Sequence, residues 1–370
     1  MSFDESTATA DTDGATDRVL EVEDLRTFYH TEQGPLHAVD GVSFELGRKE
    51  TLGLVGESGC GKTTVAKSII RLLPRNGEIV SGNVRLNGIE LTELNEKELR
   101  TAVRWTEISM IPQTAMNGFD PVKTVGRQIV DVIRRHESDT SKKAAQERAK
   151  DLFESLGLER KRIHDYPHQF SGGMAQRAMI AMALALSPSI ILADEPTTAL
   201  DVMIQDRILR QIEDLQEEFD TAMILITHDM SVVSENCDYI AVMYGGRMVE
   251  FADAETVITE PRHPYTMGMR NAFPDIAEDD QDLISIPGSP PEVIDPEEGC
   301  RFAPRCPFAE DECWEVTPEP VEYEDDHVVE CHRADEAEHL RSKATERETW
   351  LSIQEASREQ RLDDLGVSDD

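Results

Sequence analysis

The stretch ETLGLVGESGCGKTTVAKSIIRLL, residues 50–73, passes from an apolar strand through a glycine-rich turn into a helix. Its centre, GESGCGKT at 56–63, fits the pattern G-x-x-x-x-G-K-[ST] in the strand-to-helix setting that the pattern needs. Glycines let the backbone curl so that successive N–H groups face phosphate oxygens, and the following helix adds its positive N-terminal end. Gly56, Glu57, Ser58, Gly59, Cys60, Gly61, Lys62, Thr63 and Thr64 are therefore the expected cradle of a nucleotide. Lys62 is expected to reach the β- and γ-phosphates and Thr63 to offer its hydroxyl to Mg²⁺. Cys60 reads as a small loop residue and not as a reactive thiol.

Upstream, VLEVEDLRTFYH (19–30) and LHAVDGVSFELG (36–47) alternate apolar and polar residues and predict strands of a hairpin or small sheet. Downstream, SIILADE (189–195) and TAMILITHD (221–229) predict buried strands. Residues 141–158 have helical periodicity, with Leu152, Phe153 and Leu156 on one face and Gly157 at the end. Strands alternating with helices predict an α/β fold with a mostly parallel sheet. Near residue 275 the texture changes to Pro, Asp and Glu, which marks a boundary, and the last 35 or so residues read as a charged helix fraying into a tail.

The 370 residues carry a formal charge of −37, unevenly spread: residues 275–331 hold 19 acidic and 2 basic side chains. Only 10 of the 37 basic residues are lysine. That bias fits a salt-rich cytoplasm, where a Debye length near 3 Å at about 1 M salt screens self-repulsion, and the alternative is an acidic appendage on an ordinary protein. The same charge argues against nucleic acid as a ligand. The acidic N-terminus lacks the basic and apolar regions of a signal peptide, and no apolar run approaches the ~18 residues of a membrane span. A cytosolic chain is expected, with any membrane role supplied by a partner.

Two further motifs complete a nucleotide site. The apolar strand before Asp194 delivers it to the strand end, where it can hold a water on magnesium, and Glu195 can polarise the attacking water. In FSGGMAQR (170–177), Ser171, Gly172 and Gly173 crown a helix N-terminus, a second anion site of the same physical kind. Two phosphate-binding surfaces on one chain suggest that each completes the other's site in a dimer. In order and spacing, residues 19–262 resemble the ATP-binding cassette ATPases of membrane transporters.

That resemblance implies a P-loop cassette with a RecA-like parallel core, an antiparallel β subdomain and a helical subdomain at about 114–186. It implies that Tyr29, with Phe28 as the fallback, stacks on adenine, and that Gln113 in MIPQTAMNGFDP touches magnesium and couples to a transmembrane partner. Pro112 and Thr114 flank it where many relatives carry an aromatic and an acid, and Met174 stands where glutamine is usual. Asp201 is implied in a dimer-contact loop, and His228 in a hydrogen bond to the γ-phosphate. Catalysis would rest on Glu195, His228 and Gln113, and Mg²⁺ on Thr63, Gln113 and Asp194.

The stretches PRHPYTMGMRNAFP (261–274) and IPGSPPEVIDPEEGCRFAPRCPFAEDECWE (286–315) closely resemble the C-terminal extension of oligopeptide and dipeptide importer ATPases. The implied layout is an acidic disordered segment at 1–18, the ATPase at 19–262, the extension at 263–334 and a helical tail at 335–370. Implied partners are a second ATPase subunit, more often a relative than a copy, two permease subunits and an extracytoplasmic solute-binding protein. The implied location is peripheral, on the cytoplasmic face of the membrane, and the source a halophilic archaeon. Alternatives are import of nickel, glutathione or oligosaccharide, or a soluble cassette ATPase in nucleic-acid repair or iron–sulfur assembly.

Four of the six cysteines, Cys300, Cys306, Cys313 and Cys331, are spaced C-x5-C-x6-C-x17-C. Four thiolates suit a tetrahedral zinc site or an iron–sulfur cluster, although zinc sites usually have tighter pairs. Some peptide-importer ATPases with this pattern bind a [4Fe–4S] cluster here, and free or redox-paired thiols are the third reading. Arg301 and Arg305 are expected to offset thiolate charge, His332 to lie at the surface or else to substitute as a ligand, and Cys237 to be a buried small residue.

Overall fold

The computed structural model describes residues 18–196, 202–272 and 285–351. The acidic segment ahead of Arg18, Asp201 and the end of the tail from 352 lie outside the described residues. Strands β1 (Arg18–Thr31) and β2 (Gly34–Gly47) pair antiparallel as the alternating sequence predicts, and β3 (Thr51–Val55) then leaves them for a second sheet. Strands β4 (Gly77–Leu86) and β5 (Ile89–Glu90) return to the first, giving the order β2-β1-β4-β5. The second sheet takes β6 (Ile108–Ile111), β7 (Ile190–Asp194), β8 (Ala222–Thr227), β9 (Tyr239–Tyr244), β10 (Arg247–Asp253), β11 (Val321–Glu322) and β12 (Val328–Val329). Its order is β11-β12-β10-β9-β3-β8-β7-β6, parallel from β9 to β6 and antiparallel beyond. Every residue of β3, β7 and β8 is buried, which is why these strands read as unbroken apolar runs and not as alternation.

Three apolar clusters hold the layers together. One lies between the two sheets and includes Leu25, Val42, Leu54 and Ile226. A second is helical: Val125–His136, Lys142–Ser155 and Gly172–Ala183 pack through Ile129, Ile133, Phe153 and Met179. Ser141 caps the helix Lys142–Ser155 by accepting from the Ala144 N–H at 3.2 Å, and Gly157, at φ +66°, stops the chain from continuing it. The third cluster joins β9 and β10 to the extension through Tyr244, Val249, Tyr265, Phe302, Leu340 and Trp350.

The tail is therefore docked for part of its length: Ala337, Leu340 and Ala344 of the helix Ala337–Ala344 are buried, and Trp350 Nε1 donates to the Ala344 carbonyl at 2.9 Å. Among the described residues no helix is long and apolar enough to cross a membrane.

One buried carboxylate ties the extension to the sheet. Glu250 on β10 is wholly buried and accepts from the Arg262 N–H (2.6 Å), the His263 N–H (3.0 Å) and His327 Nε2 (2.7 Å). Three donors satisfy an anion whose desolvation would otherwise be costly. Replacing Glu250 with Ala leaves those donors unpaired and should destabilise the protein by about 3–5 kcal/mol. Limited proteolysis should then cut within 285–351 well before the ATPase core; an unchanged cleavage pattern would show that Glu250 does not anchor this region.

Candidate nucleotide site and cysteine centre

Strand β3 ends at Val55, and Gly56 turns the chain into the loop at φ +155°, with Gly61 at φ +113° closing it before the helix Lys62–Ile69. A Cβ on Gly56 would lie 2.2 Å from the Met243 carbonyl oxygen, and one on Gly61 2.2 Å from that of Ala38. Both contacts are with backbone, so these glycines are required by close approach as well as by conformation. Lys62 is 6% exposed, and its ammonium donates to the carbonyls of Gly56 (2.7 Å) and Glu57 (2.9 Å). Cys60 is buried beneath the loop, and burial pushes its thiol up, as expected of an inert residue.

The strand ends bring the distant motifs to this loop. Thr63 Oγ1 donates to Asp194 Oδ1 at 3.0 Å, and burial, with the neighbouring Glu195 charge adding to it, pushes the Asp194 carboxyl up against that hydrogen bond. Glu195, in the left-handed region at φ +46°, lies between Gln113 Nε2 (2.6 Å) and His228 Nδ1 (3.3 Å). A non-glycine residue in that conformation is rare and marks a side chain that the fold aims deliberately. Tyr29 Oη lies 3.2 Å from Thr64 Oγ1, whereas the Phe28 ring is stacked on His37 at 3.7 Å. The tyrosine thus reaches the loop and the phenylalanine does not.

Ser171, Gly172 and Gly173 stand apart from this assembly. Ser171 is the N-cap of Gly172–Ala183 with no side-chain cap bond, Ser171 and Gly172 are exposed, and nothing lies within 4 Å of a Cβ placed on Gly172. Their helix belongs to the helical cluster, whereas Cys60 and Val65 of the loop region belong to the inter-sheet cluster. An open helix N-terminus of this kind offers N–H groups to an anion from another molecule.

The four cysteines of the extension converge: Cys300, Cys306, Cys313 and Cys331 line one small cavity with His263, Phe302, Phe308, His332 and Arg333. All four are free thiols, and burial raises Cys300, carries Cys306 well above its ordinary value and pushes Cys331 up to about 12. Among the described residues, no three His, Cys, Asp or Glu side chains form a group that could hold a metal ion. One polar atom is orphaned at the cavity wall: His263 Nδ1 accepts from the Tyr265 N–H at 3.0 Å, and its buried Nε2 has no partner.

Two expectations here need correction. Arg301 and Arg305 do not face the thiols; Arg301 pairs with Asp40 and donates to the Gly245 carbonyl, and Arg305 pairs with Glu57. The fold sets both guanidiniums against carboxylates instead, and it is Arg333 that lines the cavity, its backbone N–H donating to Cys331 Sγ at 3.4 Å while its guanidinium pairs with Glu310 and Glu336. His332 is not a surface residue: its side chain is 14% exposed, with Nε2 donating to the Val316 carbonyl at 2.8 Å. Cys237, as expected of a small packed residue, sets its thiol against two apolar clusters beside β3, close under Gly53, and burial pushes that thiol up.

Comparison with known proteins assigns the class. The chain matches the ABC transporter family over residues 39–198, so that the loop, the Ser-Gly-Gly turn and the Asp194–Glu195 strand end all fall within the match. Solved ATP-binding cassettes have the same fold: a dimeric cassette in a post-hydrolysis state with ADP and phosphate bound aligns at a TM-score of 0.58 and 26% identity, over 64% of this chain and 98% of that one. The chain belongs to the ATP-binding cassette ATPases.

Its branch follows from the extension, which matches the C-terminal region of oligopeptide/dipeptide transporters over residues 249–313. The oligopeptide transport ATP-binding protein AppD of Bacillus subtilis is 42% identical over 85% of this chain and 96% of its own length. OppD of Salmonella typhimurium, also an oligopeptide transport ATP-binding protein, is 44% identical over 81% of this chain and 89% of its own length. The dipeptide transport ATP-binding protein DppD of Lactococcus lactis is 42% identical over 80% and 85%.

Gly61→Ala tests the close approach. The added methyl must push the loop off the Ala38 carbonyl, so ATP affinity should fall at least about tenfold with a loss of roughly 2–3 kcal/mol in stability. Equilibrium nucleotide binding and thermal unfolding would measure both; unchanged binding would show that the loop tolerates displacement.

Proposed function

We propose that this chain is the ATP-hydrolysing subunit of an importer for di- or oligopeptides. Its partners in this reading are a second, related ATPase subunit, two transmembrane permease subunits and an extracytoplasmic solute-binding protein, and it sits at the cytoplasmic face of the membrane. The observation that carries the ATPase half is that Thr63, next to Lys62, bonds Asp194, and that Gln113 and His228 both bond the adjoining Glu195. The extension and the names of the relatives support peptides as the cargo. Import of a labelled oligopeptide into vesicles holding the whole transporter tests it; ATP-driven uptake of another solute class with no uptake of peptide would refute the cargo.

The mechanism follows from charge and geometry. ATP phosphates draw in Lys62 and the loop N–H groups, with Tyr29 against the adenine; Ser171–Gly173 of one subunit close over the nucleotide held by the other. Thr63, Asp194 and Gln113 would hold Mg²⁺ through their oxygens, and the ion would offset charge on the phosphates. Glu195, oriented by Gln113 and His228, takes the proton of the attacking water, and the released γ-phosphate no longer bridges the subunits. His228 holds the γ-phosphate before cleavage, and the dimer-contact role read for Asp201 falls on a residue outside those the structure describes. Glu195→Gln should bind ATP normally and turn over about 10²–10⁴ more slowly. Single-turnover hydrolysis checks this, and near-normal turnover would remove Glu195 from the base role.

For the four cysteines the reading is a [4Fe–4S] cluster, supported by their sharing one cavity and by the orphaned His263 Nε2, which is suited to donate to sulfur. One zinc ion and free or redox-paired thiols are the other readings, and among the described residues no group of donors is gathered to hold a metal ion. Cys300, Cys306, Cys313 and Cys331 would hold such a cluster, which supplies a one-electron redox centre. Iron and acid-labile sulfide should each approach four per chain in protein purified without oxygen, and Cys306→Ser should lose them. One zinc without sulfide would overturn the assignment. The excess of carboxylates and arginine supports a halophilic archaeal source, in which case activity should require molar salt.

A further inference from the structure

The second residue of the phosphate loop is gripped from three sides. The Glu57 carboxylate accepts two parallel hydrogen bonds from Arg305, Nη1 to Oε2 at 2.6 Å and Nη2 to Oε1 at 2.9 Å. Its backbone N–H donates to Tyr265 Oη at 2.9 Å, and its carbonyl accepts from Lys62 Nζ at 2.9 Å. Two of these three contacts come from the extension, 248 and 208 positions along the chain.

Both donors are themselves rigid. Arg305 is 5% exposed; its Nε donates to the Pro287 carbonyl at 2.7 Å and its Nη1 also reaches Tyr244 Oη at 3.2 Å. Tyr265 is wholly buried, its ring centroid 4.7 Å from that of Tyr244 and 5.4 Å from that of Phe302. The planar fork of an arginine fixes a carboxylate in position as well as in charge, which a lysine does not. A further strap joins the same region to the hairpin beside the loop: the His37 N–H donates to the Val293 carbonyl at 2.8 Å.

We propose that Arg305 and Tyr265 are positioning residues for the phosphate loop, so that the extension sets the loop's curvature from outside the ATPase core. The proposal rests on Gly56–Thr63 holding the nucleotide. A loop turned by Gly56, Gly59 and Gly61 has many backbone conformations open to it, and fixing one before ATP arrives removes that ordering cost from binding. Lys62 must leave the Gly56 and Glu57 carbonyls to reach phosphate, and the two outer contacts keep Glu57 in place when it does. Arg305 also neutralises a carboxylate carried by the loop that receives the phosphates. Without it, Glu57 repels the ligand.

This charge argument makes the test asymmetric. In the full chain, Arg305→Ala should weaken MgATP binding about tenfold, and Arg305→Lys, which keeps the charge and loses the fork, by less. Tyr265→Phe, which removes one hydroxyl, should weaken binding by roughly threefold. The double variant Arg305→Ala/Glu57→Ala should bind ATP no worse than Arg305→Ala alone, because the uncompensated anion leaves with its partner. The loss in Arg305→Ala and Tyr265→Phe should fall on KM more than on kcat, whereas a general loss of structure would lower kcat and the melting temperature together. Additive losses in the double variant, or unchanged affinity in both Arg305 variants, would overturn the proposal. Lys62→Ala separates the two readings: binding lost there but kept in Arg305→Ala refutes the brace alone, and binding kept in both refutes the loop as the nucleotide site.

Discussion

The close passage of the phosphate loop under two other strands constrains everything else. Gly56 lies against the Met243 carbonyl of β9 and Gly61 against the Ala38 carbonyl of β2, at distances where a side chain has no room. The parallel sheet, the antiparallel sheet and the loop are thereby locked into one arrangement. The wholly buried β3, β7 and β8 then fix where Lys62, Asp194 and His228 emerge, because each follows or ends a strand of the same sheet. The chemistry is thus a property of strand order, and Glu195 takes a left-handed backbone to face Gln113 and His228 from its strand end.

The extension belongs to this arrangement and is not an appendage. Glu250 receives two backbone N–H groups and a histidine, β12 adds to the sheet beside β10, and Arg305 and Tyr265 reach Glu57. Arg301, next to Cys300, is bound to Asp40, and Arg305, next to Cys306, to the loop. The segment that carries Cys300 and Cys306 into the thiol cavity thus also carries Arg301 to Asp40 and Arg305 to the loop.

Local patterns made the site legible in the sequence. GESGCGKT, the apolar run before Asp194 and the Ser-Gly-Gly turn each carry their chemistry within eight residues, and alternation announced β1 and β2. The contacts that were not legible join residues far apart. Nothing near Glu57 marks Arg305 as its partner, and nothing near Glu250 marks it as buried, since alternation on β10 leaves its partners unnamed. The two arginines were misplaced because proximity in sequence suggested the cysteines as their partners, whereas the fold sets them against Asp40 and Glu57, carboxylates 261 and 248 positions away. The short β5, β11 and β12 have too few residues to show a period at all.

The central claim is that ATP joins two incomplete half-sites, one at Lys62 and one at Ser171, on different subunits. Its most direct test is a cross-link in the assembled transporter, with cysteine placed at Ser171 here and at the second position after the first loop glycine in the facing ATPase. The account predicts an intersubunit disulfide that forms when MgATP is bound and not without nucleotide. A cross-link of equal yield in both conditions, or none at saturating ATP, would contradict it.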